Sequence, residues 1–399
     1  MLYDRTQHEA LTKREWSAEE ARKSIRSIIR DSEVAWNPAA WWPQHPDEQG
    51  TSNELLPIVY CGAAGVVWGL DYLRRMGYES KLDLAAMAHI IMSNMPRLNP
   101  EEPWVPTSYM VGELGVFLVN ALLFDDTTAL APMKQRILAN LDDSAFELFV
   151  GTTGSMLTAR FLFEKLGSPI WRELFIRSFD ALWARWEEPA PGIHLWAQHL
   201  YDRPVHSWVG AGHGFAGNVA VMLASGDLIE ESRRDELKRR ATVTVKALAN
   251  RSNGKANWPR YFGEPTDMPV QWCHGAPGII ISFSAMPIDY DAELNALLIE
   301  GGELVWEAGP LSTIGKGCGI CHGAAGNSFA LLKLYRRTGD PRWLERARVL
   351  AMHSIDQMRA QHKHWGRPWY SLWTGDISVA LALHACLAED DRICSFDTW

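Results

Sequence analysis

Three residues of this sequence have side chains of the types that bind zinc, and each stands in a glycine-rich segment. Cys321 and His322 are adjacent within Gly315–Asn327, which reads Gly-Lys-Gly-Cys-Gly-Ile-Cys-His-Gly-Ala-Ala-Gly-Asn. Cys273 has a similar place in Trp-Cys-His-Gly, nearer the amino terminus. Thiolates and imidazoles are ligands that suit zinc. Two thiolates and one imidazole leave the fourth position of the metal open, which is the pattern of a catalytic zinc rather than of a structural one.

Neighbouring residues offer further chemistry and two alternatives. His213, in Gly-Ala-Gly-His-Gly, is a candidate general acid or base, because histidine side chains titrate near neutral pH. His274 follows the cysteine of Trp-Cys-His-Gly and is an alternative ligand to His322; we rank it second, because adjacent side chains point in different directions. Cys318 and Cys321 spell Cys-x-x-Cys, which also occurs in redox pairs, but no βαβ pattern surrounds them. The zinc interpretation is therefore favoured.

The elements that must position these residues belong to an internal repeat. A Gly-x-x-Gly motif followed by an apolar helical run occurs at Gly62–Gly65, Gly112–Gly115, Gly151–Gly154, Gly214–Gly217, Gly275–Gly278 and Gly323–Gly326. A degenerate seventh copy begins at Gly375, where Ser378 replaces the second glycine. Successive copies lie roughly forty to sixty residues apart, near the period of repeat arrays. Because a more amphipathic helix separates the copies, we predict an all-α chain that forms an α/α toroid (barrel) of seven helical hairpins with inner and outer helix layers.

Closure of this toroid would bring the chemically active residues together. The inner runs are apolar nearly all round, as helices buried on both sides should be, which favours a closed ring over an open solenoid. The start of every inner helix would then crowd one end of the barrel, where glycine allows close backbone approach. The junctions that carry His213, Cys273 and Cys321 belong to consecutive copies. We therefore expect them to meet at one rim.

The N-terminal segment, residues 1–56, is expected to pack on a single toroid domain at residues 57–399. It contains one clear helix, with Ser17 as N-cap and Glu20 three residues later, the pattern of a capping box. The apolar face of that helix comprises Ala21, Ile25, Ile28 and Ile29. An irregular polar stretch follows and continues to Asn53.

Composition excludes several classes of protein. The formal charge of −9 argues against a nucleic-acid-binding protein, which normally carries a basic face. No apolar run reaches the roughly eighteen residues of a membrane-spanning helix. The amino terminus lacks the basic-then-apolar layout of a signal peptide. We therefore expect a cytoplasmic protein, in which the six cysteines are ligands, nucleophiles or small buried residues rather than disulfides.

The motifs resemble those of the lanthionine synthetase C-like family, from about Leu56 onward. The resemblance rests on Gly-His-Gly at Gly212–Gly214, Trp-Cys-His-Gly-Ala-Pro-Gly at Trp272–Gly278 and Cys-His-Gly-Ala-Ala-Gly-Asn at Cys321–Asn327, in this order and spacing. The family implies an α/α toroid of seven helical hairpins with a zinc ion at one rim. By position, Cys273, Cys321 and His322 resemble its zinc ligands, and His213 resembles its catalytic histidine.

The resemblance also implies a reaction. Family members catalyse, or are linked to, the Michael-type addition of a thiol to a dehydroamino acid; bacterial cyclases use a peptide's own cysteine, and eukaryotic-type members bind glutathione. The form of the Trp-Cys-His-Gly segment is typical of the eukaryotic type, and Lys316 matches a lysine associated with the glutathione site. Arg5 and Arg367 are further candidates for glutathione binding, because a tripeptide with two carboxylates needs cations. Glu147 stands four residues before the third Gly-x-x-Gly, where bacterial cyclases carry aspartate, and keeps a carboxylate for an acid–base or orienting role.

These features together favour a zinc-dependent enzyme that adds glutathione or a peptide thiol to dehydroalanine or dehydrobutyrine residues of a peptide or protein. In this hypothesis the metal-bound thiol is deprotonated and attacks the β-carbon, and His213 protonates the resulting enolate. The alternatives are a lantibiotic-type cyclase that makes intramolecular lanthionine rings and a non-catalytic scaffold that binds zinc and glutathione. An α/α-toroid glycosidase would need two convergent carboxylates. The available pairs, Asp125 with Asp126 and Asp142 with Asp143, are more typical of helix caps and surface residues.

Overall fold

The computed structural model describes residues 1–12, 14–48, 55–95, 107–200, 204–314 and 316–399. Gly315, with which the predicted ligand segment begins, and Asn53, with which the predicted polar stretch ends, lie outside the described residues.

Inner and outer α-helices alternate along the described chain. The inner layer consists of α2 (Ala63–Arg75), α4 (Glu113–Leu123), α6 (Thr152–Leu166), α8 (Phe215–Leu223), α10 (Ala276–Phe283), α12 (Ala324–Thr338) and α14 (Asp376–Ala388). The outer layer consists of α1 (Ala18–Ala35), α3 (Leu84–Ser93), α5 (Leu130–Ala139), α7 (Pro169–Ala184), α9 (Glu231–Ala247), α11 (Ala292–Ala308) and α13 (Pro341–Trp365). Short 3₁₀ turns occupy Arg5–Gln7, Pro46–Glu48, Thr127–Ala129, Asn140–Asp142 and Gly226–Leu228.

The inner helices form a closed ring. Each inner helix packs on the next, and α14 packs on α2, which closes the circle. The outer helices α3, α5, α7, α9, α11 and α13 each pack on the inner helix that precedes them. The last inner helix, α14, receives α1 from the N-terminal segment instead. The predicted α/α toroid is confirmed, with the difference that the outer helix of its seventh unit precedes the other six units in the chain.

Helix α1 docks through the face that its sequence predicts. The buried residues of that face include Ala21, Ile25, Ile28 and Ile29. The Ser17 hydroxyl accepts a hydrogen bond from the Glu20 backbone N–H at 3.2 Å, as an N-cap should. The Glu20 carboxylate pairs with Arg14 and Arg359 rather than with the backbone of the cap. Only one half of the predicted capping box therefore forms.

Four short strands in the described residues were not predicted. Strand β1 (Glu187–Ala190) pairs antiparallel with β2 (Ile193–Leu195), and β3 (Asn250–Ser252) pairs antiparallel with β4 (Lys255–Asn257). Strands of three or four residues are too short for the alternation of apolar and polar residues to appear. The turn between β3 and β4 could have been predicted from the sequence, because Asn-Gly is typical of two-residue hairpin turns. In the structure this pair adopts the positive φ angles that such turns require, 51° and 70°.

Different structural features explain why each repeat has glycine at its first and at its second position. The first glycine is the N-cap of an inner helix in all seven copies, as predicted. The second glycine lies against a loop carbonyl six residues earlier; a Cβ atom at Gly326 would be 1.9 Å from the carbonyl oxygen of Ile320. In the seventh copy, the Ser378 hydroxyl donates a hydrogen bond of 2.6 Å to the corresponding carbonyl oxygen, that of Leu372. Ser378 thus forms a hydrogen bond with the loop carbonyl that, in the other six copies, packs directly against the second glycine.

The loops that precede the inner helices are linked in series at one end of the barrel, from the loop of Gly212 round to the loop of Phe149. The residue two positions before the first glycine is, in chain order, Tyr60, Met110, Phe149, Gly212, Cys273, Cys321 or Trp373. Backbone hydrogen bonds of 2.9–3.4 Å run from Trp373 to Tyr60, Tyr60 to Met110, Met110 to Phe149, Gly212 to Cys273, Cys273 to Cys321 and Cys321 to Trp373. Cys273 and Cys321 therefore occupy equivalent positions in adjacent loops, and the backbone hydrogen bond between them holds their thiols near each other.

A glycine substitution tests this account of the repeat. We expect Gly326→Ala to lower the free energy of unfolding by at least about 2 kcal/mol, because the new methyl group collides with a backbone carbonyl that cannot move without breaking the rim. The matched control is Gly301→Ala within α11, where a Cβ atom would have no neighbour closer than 3.4 Å. That variant should be neutral or more stable by up to about 1 kcal/mol. Urea unfolding followed by tryptophan fluorescence measures both, and equal losses of stability would contradict the close-approach argument.

Candidate metal centre

Cys273, Cys321 and His322 converge at the hydrogen-bonded rim. Their ligand atoms all lie within 4.8 Å of one another, and the Sγ of Cys321 is 3.4 Å from Nε2 of His322. In a tetrahedral zinc site with bonds of about 2.0–2.3 Å, the ligand atoms are separated by about 3.3–3.8 Å. The three side chains therefore need only small rotations to hold the metal. Both cysteines are buried and the histidine is half-buried, so a fourth ligand reaches the cluster from the side of the histidine.

The two thiols differ in acidity because they interact directly. Burial raises the pKa of the Cys321 thiol well above its ordinary value, and the adjacent Cys273 sulfur acts in the same direction. Burial also opposes ionisation of Cys273, but hydrogen bonds from Cys321 and His322 outweigh it and hold the pKa of Cys273 well below its ordinary value. One thiolate therefore forms readily and the second requires a compensating cation. This is the behaviour of a site that fits a divalent metal ion.

Two further side chains touch the thiols. The side-chain amide of Gln271 donates a hydrogen bond of 2.8 Å to the Sγ of Cys273. The Tyr60 hydroxyl lies within hydrogen-bonding range of Cys321, and burial raises the pKa of this tyrosine well above its ordinary value. A donor at each sulfur orients the thiolates and balances part of their charge. Neither residue was identified from the sequence. Tyr60 could have been found from the repeat, because it stands two positions before the first glycine of the first copy, as Cys321 does in the sixth copy.

The imidazole of His213 is paired with the buried carboxylate of Glu147. Nδ1 of His213 lies 3.0 Å from Oε2 of Glu147. This carboxylate, which is fully buried, also accepts hydrogen bonds from the backbone N–H groups of Phe149, Val150 and Gly151, which lead into α6. These donors and the helix N-terminus compensate for the burial of its charge. Because the carboxylate is an acceptor, the proton of the neutral imidazole sits on Nδ1, and Nε2 remains free to exchange a proton.

The loop that carries His213 is fixed close to the ligand cluster. The buried side-chain amide of Gln198 donates a hydrogen bond of 2.9 Å to the carbonyl oxygen of His213. The ring of Phe149 packs on the imidazole with their centroids 4.4 Å apart. A Cβ atom at Gly212 would be only 2.8 Å from the Cβ of Cys273. The glycine before His213 thus allows the loop of the candidate acid or base to approach a metal ligand.

His274 lies beside the ligand cluster but is not one of its three members. Its ring stacks on Trp208 with the centroids 5.3 Å apart and is 5.8 Å from the ring of His213. Burial lowers the pKa of His274 to about 3, and a positive charge on His213 acts in the same direction. The structure therefore brings His322, the first-ranked candidate, to the two thiols and leaves His274 as a neutral ring in the adjacent wall.

A cavity of about 320 Å³ opens beside the cluster. It is lined by Tyr60, Val111, Phe149, Leu200, Trp208, His213, Arg260, Gln271, Cys273, His274, Lys316 and His322. Lys316 is exposed and lies near enough to Cys321 to favour its thiolate. Arg260, which sequence reasoning did not single out, supplies a second cation. Among the described residues that line this cavity there is no aspartate or glutamate, so the cavity is suited to an anionic ligand.

The two other cations predicted to bind glutathione lie elsewhere. Arg5 lines a different cavity, together with Arg251 and Glu307, and its Nε is 3.3 Å from the Tyr3 hydroxyl. Arg367 donates a hydrogen bond of 3.1 Å to the backbone carbonyl of Gln44. Neither residue lines the cavity beside the ligand cluster. Their assignment to glutathione binding stays a prediction.

The alternative chemistries find less support in the geometry. Cys318 is a free, buried thiol outside the ligand cluster, and burial raises its pKa well above the ordinary value. A redox-active cysteine needs the opposite, a lowered pKa and access to solvent. Asp126 and Asp143, considered for a glycosidase, accept hydrogen bonds from the backbone N–H groups of Thr128 and Ala145 at 2.9 and 2.7 Å. These contacts are those of turn and helix caps.

Comparison with known proteins gives a family match over most of the chain. The family described as lanthionine synthetase C-like protein matches residues 57–397. In the described part of the chain, no helix combines the length and apolarity that crossing a membrane requires.

Individual relatives cover the chain to different extents. The protein named glutathione S-transferase LANCL1 of Danio rerio is 32% identical over 166 residues, which is 41% of this chain and 38% of the relative. The LanC-like protein GCL1 of Arabidopsis thaliana is 30% identical over 211 residues, 52% of this chain and 47% of the relative. The matches thus span less than half of either relative. The solved structure of nisin cyclase is 12% identical but superposes over 93% of this chain and 99% of its own, with a TM-score of 0.58, which shows a shared fold.

Proposed function

The chain belongs to the lanthionine synthetase C-like family, and on that premise we propose that it is a zinc-dependent enzyme that adds a thiol to dehydroalanine or dehydrobutyrine residues and forms a thioether. The thiol is that of glutathione or of a peptide cysteine, and the acceptor is a peptide or protein. The observation that carries this proposal is the convergence of Cys273, Cys321 and His322 beside a cavity that Cys273 and His322 line together with His213. All six cysteines are free, which supports a reducing, cytoplasmic compartment.

The ligand set supports zinc and leaves room for a substrate. Two thiolates and one imidazole are three ligands for a metal that takes four. A zinc ion held by these residues would supply the positive charge that deprotonates a thiol at the open fourth position. Gln271 and Tyr60, which touch the two protein thiols, hold them in place from outside the ligand set.

The remaining chemistry is a proton transfer that His213 is built to perform. Addition forms a bond between the thiol sulfur and the β-carbon of the acceptor, and the electron pair of the double bond moves toward the α-carbon and its carbonyl. A proton must then reach the α-carbon. Nε2 of His213 is the available donor once it has taken up the proton that the thiol releases, since Nδ1 is held by Glu147 at 3.0 Å. Glu147 acts through His213, because its hydrogen bond keeps the ring oriented.

The glutathione hypothesis is preferred over the peptide cyclase because of the cavity and the relatives. A cavity with two cations and no carboxylate among its described lining residues favours a small anionic thiol. A relative that shares 32% identity over its matched region is named a glutathione S-transferase. An intramolecular cyclase remains the alternative within the same chemistry.

Mass spectrometry of a reconstituted reaction tests the proposal. We expect the zinc-loaded protein, incubated with a dehydroalanine peptide and glutathione, to yield a product heavier than the peptide by the mass of one glutathione. A peptide that also carries a cysteine, incubated without glutathione, tests the cyclase alternative, since ring closure leaves the mass unchanged but removes the free thiol. Binding of zinc and glutathione without any product in either reaction would identify a non-catalytic scaffold instead.

A further inference from the structure

Arg260 is a charged side chain of the cavity that the proposed chemistry does not use. It lies in the segment between β4 and α10, and two backbone hydrogen bonds hold it there: its N–H donates to the carbonyl oxygen of Asp267 at 2.9 Å, and its carbonyl accepts from Val209 at 2.9 Å. Its side chain is about one-third exposed. The backbone is thus fixed at the cavity wall while the guanidinium faces accessible space.

The guanidinium of Arg260 has one partner and retains capacity for another. Nε and Nη2 lie 2.5 and 3.3 Å from the two carboxylate oxygens of Asp267. This pairing orients the planar fork, and no described residue accepts a hydrogen bond from Nη1. An arginine positioned in this way has N–H groups left to donate to a second carboxylate.

Arg260 and Lys316 reach the cavity from different loops. Arg260 precedes α10, whereas Lys316 lies between α11 and α12. Within the described chain, Lys316 forms no ion pair with an aspartate or glutamate. These two cations on separate loops line one cavity with Cys273 and His322 of the ligand cluster, so each can bind one carboxylate of a thiol that carries two.

We infer that Arg260 is a specificity-determining residue that binds a carboxylate of the thiol substrate and, with Lys316, makes the cavity select thiols with two carboxylates over neutral thiols of the same size. The inference rests on the proposed function for the identity of the substrate as a thiol. Charge in the cavity also speeds the encounter with an anionic ligand, although the whole protein carries −9.

Calorimetric titration of the zinc-loaded protein with two thiols tests this inference. The probes are glutathione and its diethyl ester, which keeps the thiol and the peptide backbone but has ethyl esters in place of both carboxylates. We expect Arg260→Gln to raise the Kd of glutathione about tenfold, the effect of losing one charge-assisted pair, and to change the Kd of the diester less than about twofold. Arg260→Lys should restore part of the affinity, and the dependence of glutathione binding on salt concentration should weaken in Arg260→Gln.

Two control variants separate substrate binding from structural damage. Arg251→Gln removes a charge of the same kind, paired with Glu300, that does not line this cavity, and it should leave both Kd values unchanged. Asp267→Asn breaks the ion pair of Arg260 but keeps the cation, so it should retain the preference for glutathione. Equal weakening of both thiols by Arg260→Gln, or loss of the preference in Arg251→Gln, would overturn the inference. Glutathione binding does not require turnover, so an inactive wild-type protein would refute the proposed function and leave this test intact.

Discussion

Replacing Cys321 with alanine should abolish both zinc binding and thioether formation. The cluster loses one of its three ligands, and the remaining pair, Cys273 and His322, cannot hold the metal at ordinary zinc concentrations. Loss of the metal removes several kcal/mol of stabilisation from the reacting thiol, so turnover should fall at least about a thousandfold, to the rate of the uncatalysed addition. Plasma mass spectrometry should find about one zinc per chain in the wild type and about none in the variant.

The matched control for this experiment is Cys318→Ala. Cys318 is buried in the same segment but lies outside the ligand cluster, so its variant should retain zinc and turnover. The redox interpretation of Cys-x-x-Cys predicts the opposite, that both variants lose activity and that zinc content is irrelevant. Undiminished thioether formation by Cys321→Ala would end the zinc-thiolate account, provided that circular dichroism shows a folded protein.

Replacing His213 with glutamine should lower kcat by about 10²- to 10⁴-fold, the usual contribution of a general acid or base. Glutamine keeps a polar side chain beside Glu147 but cannot deliver a proton from Nε2. Zinc content and the Kd of glutathione should stay at wild-type values, because His213 is not one of the three metal ligands. The separation of a large change in kcat from unchanged binding is what distinguishes a proton donor from a structural residue.

His206→Gln provides the comparison for His213→Gln. His206 stacks on Tyr261 in a neighbouring loop, with the ring centroids 4.5 Å apart, and does not line the cavity. Its variant should retain wild-type kcat. If His213→Gln lost zinc, or if both variants lost activity equally, the assigned proton transfer would be wrong.

Much of the architecture was predictable because it depends on local features. Gly-x-x-Gly at six places and the degenerate copy at Gly375 mark where apolar helices begin, and each first glycine is a helix N-cap in the structure. The short hairpin at Asn253 and Gly254 escaped prediction, although its turn pair was visible in the sequence. The packing of α1 on α14 could not be predicted from the sequence, because these helices are separated by nearly the whole chain.

The residues around the site divide in the same way. The metal-ligand candidates and the candidate acid or base can be found from the sequence, because cysteine and histidine are reactive residue types and here they stand in glycine-rich segments. These residues are Cys273, Cys321, His322 and His213. The other residues of the site cannot be found in this way, since tyrosine, glutamine and arginine are ordinary residues of loops. They are Tyr60, Gln271 and Arg260. They acquire a role only through proximity to the thiols or to the cavity.

The sequence by itself determined the repeat, the apolar inner helices and the chemical types available at their N-termini, because these depend on neighbouring residues and on helical periodicity. Tertiary structure decided which of them meet. Backbone hydrogen bonds between loops of successive repeats place Cys273 beside Cys321, and they turn His322 rather than His274 toward the thiols. The buried Glu147 carboxylate accepts four hydrogen bonds, three from backbone N–H groups and one from Nδ1 of His213. Nε2 is therefore the nitrogen of His213 that stays free. Such contacts arise where one repeat packs on the next, which joins segments that no local pattern relates.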